Sequence, residues 1–140
     1  MRTRMTTVLI AAAFAVAAAP SAATASPAVA KQSGDYVATI RVGGMNGELF
    51  RLHLVEDADI TAAFANMRGQ TNHHPNGLVV RTGPELNAGY SWHIDPNDVT
   101  FVRSSGEVCD GLPSGVENGT ITSDRYCPWV ARVVRMLPVI

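Results

Sequence analysis

Ser91-Trp92-His93-Ile94-Asp95 is the first place in this chain where residue types and spacing could do chemistry. On an extended strand Ser91, His93 and Asp95 all face one way. A histidine and a carboxylate make a base and its orienting group, and a serine could serve as the nucleophile. Side chains along one strand stand roughly parallel, however, and do not converge as a triad must. Asp95-Pro96-Asn97-Asp98 reads instead as a turn, with Asp95 hydrogen-bonding the backbone and His93 packed beside it. No catalytic residue is assigned.

His73-His74 are adjacent in the polar stretch Gln70–Asn76, and His53 and His93 complete the four histidines. Two neighbouring loop histidines can turn to one ion, but neither His-x-His nor His-x-x-x-His spacing supports it. A solvated loop is the reading, with no metal and no cofactor expected. Tyr90, Trp92 and Trp129 could stack on a sugar or anchor a partner. In a small domain such rings more often fill the core, so Trp92 is read as core and Trp129 as packing against a cystine two residues before it. Binding residues gather on loops held by a scaffold. The candidate binding set is therefore His73, His74, Asn87, Trp92, His93 and Asp95.

Positioning those residues requires a scaffold, and the chain's periodicity supplies one. Tyr36–Val42 and Glu48–Val55 alternate with period two around Gly43-Gly44-Met45-Asn46-Gly47, an antiparallel hairpin. Ile60, Ala63, Phe64 and Met67 then form a helical stripe, preceded by the acidic capping run Glu56–Asp59 and stopped at Gly69. Phe64 and Met67 are expected to pack on the inner face of the hairpin. Short strands follow at Leu78–Arg81, from Tyr90 to Pro96, and at Asp98–Ser104. A helical turn over Asp110–Asn118 has Ser114 as its cap and Glu117 at the third helical position. Tyr126–Met136 fits both periods; its valines and Pro128 favour a strand. The fold class is α+β: a small antiparallel sheet with one main amphipathic helix packed on it and one disulfide.

The amino terminus has a different composition. Arg2 and Arg4 precede the apolar run Val8–Ala19, Pro20 breaks it, and Ala23-Thr24-Ala25 has the small-x-small form of a signal-peptidase site. Residues 1–25 are read as an export signal, with Ala28-Val29-Ala30 as a second cleavage point. Residues 26–35 are a flexible lead-in and residues 36–138 a single domain. Cleavage leaves nine basic against twelve acidic residues, a formal charge of −3. That charge lacks the basic stripe a phosphate backbone requires, so no nucleic acid is expected. No basic amphipathic helix marks a membrane surface either, so no membrane is expected after signal cleavage. Cys109 and Cys127 are the two cysteines. An even count in an oxidising compartment favours one disulfide, worth about 3 kcal/mol for a loop of this size.

Several blocks together resemble a known family. They are Asn76-Gly77, Gly89-Tyr90-Ser91-Trp92-His93-Ile94-Asp95-Pro96, Glu107-Val108-Cys109-Asp110-Gly111, Pro113-Ser114-Gly115-Val116-Glu117 and Tyr126-Cys127-Pro128-Trp129-Val130-Ala131-Arg132-Val133-Val134. The chain is similar over Val37–Val134 to the small exported domain family described as BP-seventy-four-related. The resemblance implies a compact domain in which Cys109 pairs with Cys127, and it brings no settled reaction or ligand.

The functional expectation is a secreted, non-enzymatic binding module whose partner is an extracellular protein, with inhibition of an extracellular enzyme as one form of it. Two other classes compete: a small hydrolase or metal-dependent enzyme using His93 and Asp95, and a cell-envelope structural or carbohydrate-binding domain using the aromatic strand. The oligomeric state is left open, because an exposed strand edge can pair across a two-fold axis.

Overall fold

The computed structural model describes residues 15–24 and 34–140. Of the expected export signal, only 15–24 fall within the described residues, and they carry neither helix nor strand. The cleavage points after Ala25 and Ala30 and the lead-in up to residue 33 lie outside them. Among the described residues no helix is long and apolar enough to cross a membrane.

Period-two alternation builds the first sheet. β1 (Tyr36–Val42) and β2 (Glu48–Leu54) form the expected hairpin, paired from Tyr36↔Leu54 to Val42↔Glu48. Its inward residues Ala38, Ile40, Val42, Phe50, Leu52 and Leu54 are all buried. Gly43 and Gly44 take positive φ at the turn, which an L side chain resists. The carboxy-terminal strand pairs with the other side of β1, so the sheet order runs hairpin strand two, hairpin strand one, last strand.

The helix comes next. α1 (Asp57–Met67) ends just before Gly69 at φ +72°, and Glu56 at its N-cap makes no side-chain capping bond. Asp59 turns inward instead, where Oδ1 accepts the Phe101 N–H at 3.2 Å. Asn66, seven residues on and therefore on the same face, is also buried. Its Oδ1 accepts the Val133 N–H at 2.8 Å, and its Nδ2 donates to the carbonyls of His73 at 2.7 Å and Ala131 at 3.3 Å. Ile60 and Ala63 fill the space between these two polar residues. Contrary to the expected seat on the hairpin, α1 lies chiefly against strands that carry Phe101 and Val133. Phe64 and Met67 are only half-buried, and Phe64 meets Tyr36 edge-on at 5.5 Å.

The second sheet is also antiparallel, with β3 (His74–Val80) central between β4 (His93–Val102) and the short β5 (Arg125–Tyr126). Two strands were expected where β4 is one. The Asp95 Oδ1···H–N Asn97 turn at 2.9 Å forms as read, but as a bulge. The pairing jumps from Val79↔Ile94 to Gly77↔Val99, so both flanks bond the same partner strand. Gly77 permits this, because a Cβ there would collide with the Ile94 side chain. β3 likewise starts earlier than expected and takes in His74.

A 3₁₀ turn at Glu107–Cys109 leads to α2 (Pro113–Glu117), and the chain closes with β6 (Ala131–Pro138). Ser114 is not the cap of α2. Its N–H and hydroxyl both bind the Glu48 carboxylate at 2.7 Å, while Glu117 accepts the Ser91 N–H at 3.0 Å. Cys109 and Cys127 are disulfide-bonded. The molecule is thus α+β, mostly sheet, with the sheet in two three-stranded parts rather than one. Phe50, Trp92 and Tyr126 meet between them with ring centroids 5.4–5.9 Å apart. α1 plugs the open edge of each part, at β4 through Asp59 and at β6 through Asn66.

Candidate functional site

The residues singled out from the sequence do not form one site; of them only Asn87 and Trp92 are joined by a hydrogen bond. Trp92 is a core residue, 1% exposed. Asn87 is buried as well, its Oδ1 accepting the Arg51 N–H at 2.8 Å and its Nδ2 donating to the Trp92 carbonyl at 2.9 Å. It therefore ties the 83–89 loop to β2 rather than presenting itself on an exposed loop. Ser91, His93 and Asp95 each take a different partner: the Glu117 carboxylate, the Gly83 carbonyl at 2.7 Å and the Asn97 N–H. His73 remains half-exposed in the loop, while His74 is buried at the head of β3. Among the described residues no group of three or more His, Cys, Asp or Glu could hold a metal.

His53 has a separate role. Its Nδ1 lies 2.6 Å from Glu85 Oε1 and its Nε2 lies 3.0 Å from Asp35 Oδ2. Only an imidazolium donates from both nitrogens. Burial works against that charge, but the hydrogen bonds and charges of the two carboxylates outweigh it and raise the pKa above 6.5. The clamp secures Glu85, the one non-glycine residue with positive φ (46°) among the described residues.

The site with accessible chemistry lies around Trp129, at the end of the molecule that carries the disulfide. Trp129 and Val130 lie in the bend between β5 and β6, outside the strand ladder. Both are exposed, Trp129 by 41%. The ring is nonetheless fixed. The Trp129 backbone N–H donates to Asp110 Oδ1 at 2.8 Å, and its indole N–H donates to Ser105 Oγ at 3.1 Å. Ser105 Oγ is in turn 2.6 Å from His74 Nε2. Burial lowers the pKa of His74, against the opposing charge of Asp110. The Gly43 N–H donates to the Val130 carbonyl at 3.2 Å and holds the hairpin turn against this segment.

Two hollows flank the indole. One, of about 380 Å³, is lined by Arg41, Met45, Asn72, Val130 and Arg132 beside Trp129. The other, of about 310 Å³, lies between Asn72, His74, Arg103, Ser105 and Trp129. Trp129 and Asn72 belong to both, so the hollows are halves of one groove. Met45, 92% exposed on the hairpin turn, overhangs its rim.

Sequence reasoning expected Trp129 to be packed against the cystine and did not single out Arg41, Met45, Asn72, Ser105 or Arg132. Two adjacent large apolar residues after Cys127-Pro128 are the signal that could have exposed Trp129. The Arg41–Arg132 juxtaposition has no local signal at all.

Fold and groove together define a small disulfide-linked, two-sheet α+β domain that presents one preformed aromatic surface. The chain belongs to the BP-seventy-four N-terminal domain family, whose family model matches residues 35–140, as the sequence resemblance implied. No curated protein and no solved structure matches it.

Proposed function

We propose that this domain is a secreted, non-enzymatic binding module that docks an extracellular protein through the Trp129 groove. The observation that carries this reading is the half-exposed Trp129 ring, held by hydrogen bonds at its backbone and at its indole N–H. Ordering a large side chain on binding costs about 0.5–1.5 kcal/mol, and here that order exists beforehand. Tryptophan, arginine and methionine are the residues that binding hot spots and interfaces favour, and all three line this groove. The disulfide fits the export expected from residues 1–25.

The test is capture from culture fluid with the mature chain immobilised, run beside Trp129→Ala. One stoichiometric protein retained by the wild type, and lost from a variant that still melts cooperatively, is the expected result. If that protein is an enzyme, its turnover with and without the domain tests inhibition directly. A partner retained equally by both forms would remove the groove from the function.

A further inference from the structure

The groove wall carries a pair of charges that the sheet by itself disfavours. Arg41 on β1 and Arg132 on β6 are direct cross-strand partners, and both line the hollow beside Trp129. Like charges directly opposite one another destabilise a sheet. Among the described residues nothing neutralises this pair. Arg132 Nη1 donates at 2.7 Å to the Asn66 carbonyl, an uncharged acceptor, and Arg41 has no hydrogen bond or ion pair. Arg103, in the second hollow, has none among the described residues either. Two carboxylates lie at this end, Glu107 on the turn that carries Cys109 and Asp110, whose Oδ1 accepts the Trp129 N–H; neither forms an ion pair with Arg41, Arg103 or Arg132 among the described residues.

Elsewhere one guanidinium is ion-paired, one is held by carbonyls, and those of Arg51 and Arg135 have no hydrogen bond or ion pair among the described residues. Arg125 bonds Asp98 at 2.8 Å and Asn76 at 2.8 Å, and Arg81 donates to the carbonyls of Val116, Ile121 and Ser123. Three unneutralised arginines therefore converge on one groove of a chain whose formal charge is negative.

We propose that the Arg41–Arg132 hollow binds a carboxylate, and that the groove takes an acidic peptide segment of the partner protein. This rests on the docking role assigned above to the same groove. Planar guanidinium groups match a carboxylate with paired, charge-assisted hydrogen bonds. Arg103 receives a second carboxylate across the indole. Trp129, Met45 and Val130 cover an apolar side chain between the two. This alternation of acid and apolar group favours a peptide over a free inorganic anion.

The experiment titrates the mature chain with two short capped peptides, one of Glu and Leu and its Gln–Leu counterpart, following tryptophan emission. Trp92 is buried, so the change reports Trp129. The Glu–Leu peptide should bind at least about tenfold tighter than the neutral one, the scale of one charged hydrogen bond. Its affinity should fall between about 50 and about 300 mM salt. Arg41→Gln should lose about tenfold in affinity while its melting temperature holds or rises, because the repulsion is relieved.

Equal binding of both peptides, or unchanged binding by R41Q, overturns the carboxylate site. A clear drop in the R41Q melting temperature overturns its premise, since Arg41 would then be structural. Inorganic sulfate or heparin competing as well as the acidic peptide would show a general anion site and overturn the peptide assignment. A captured protein that needs Trp129 but ignores salt and Arg41 would sink this inference and leave the docking role standing. Loss of Trp129-dependent capture would sink both.

Discussion

The two tryptophans of this domain use the same side chain in opposite ways. Trp92 lies in the core among Phe50, Tyr90 and Tyr126, and its indole N–H has no hydrogen-bond partner among the described residues. Trp129 is 41% exposed, and its indole N–H has one. Burial therefore does not decide which polar handle is satisfied. In the core, packing on every side fixes the ring, and the burial of so large a side chain outweighs an unmet donor costing about 1–3 kcal/mol. At the surface, packing acts from one side only, so hydrogen bonds through Ser105 and Asp110 hold the ring. A satisfied indole on a half-exposed tryptophan marks a ring that is aimed.

The largest expected effect breaks this comparison on the core side. Trp92→Ala should cost about 3–5 kcal/mol in urea unfolding, as large-to-small core substitutions do. Trp92→Phe should cost less, because it also removes the unmet donor. If Trp92→Ala left stability within about 1 kcal/mol, the ring would not be the packing centre of the core.

Asn66→Ala comes next and sharpens the link between core and groove. It orphans the buried Val133 N–H, where an unmet group costs about 1–3 kcal/mol, and the half-buried Ala131 carbonyl at the start of β6. It also frees the His73 carbonyl beside Asn72. Trp129-dependent binding should weaken along with stability. Full binding at reduced stability would show that the groove is held without α1.

The smallest effect concerns the His53 clamp, remote from the groove residues in the sheet. Its folded pKa is raised, so its stabilisation is fully present below the unfolded value of 6.5 and is lost as pH rises through the folded pKa. His53→Ala should flatten the decline in melting temperature above that pH and leave peptide binding unchanged. A variant with the same pH profile as the wild type would remove the clamp from the stability of the fold.

What the sequence by itself determined is local. The hairpin, the helix with its stop at Gly69, the Asp95 turn and the choice of strand over helix for the last segment were legible because near neighbours and a repeat of 2.0 or 3.6 residues set them. The one strand expected over Tyr126–Met136 is nonetheless split at 127–130 between β5 and β6 of different sheets. The disulfide was legible from an even cysteine count and the family resemblance. Other features were decided by which distant segments lie side by side. Asp95–Asp98 became a bulge because β3 accepts both flanks of β4. Asp59 and Asn66 sit on the buried helix face because two open strand edges need hydrogen-bond partners. The groove belongs wholly to this second kind. Arg41 meets Arg132 only once β6 pairs with β1, and Trp129 faces outward because Asp110 and Ser105 reach it from elsewhere in the chain. Local pattern sets an element's type and inner face; only long-range register decides what stands beside its outer one.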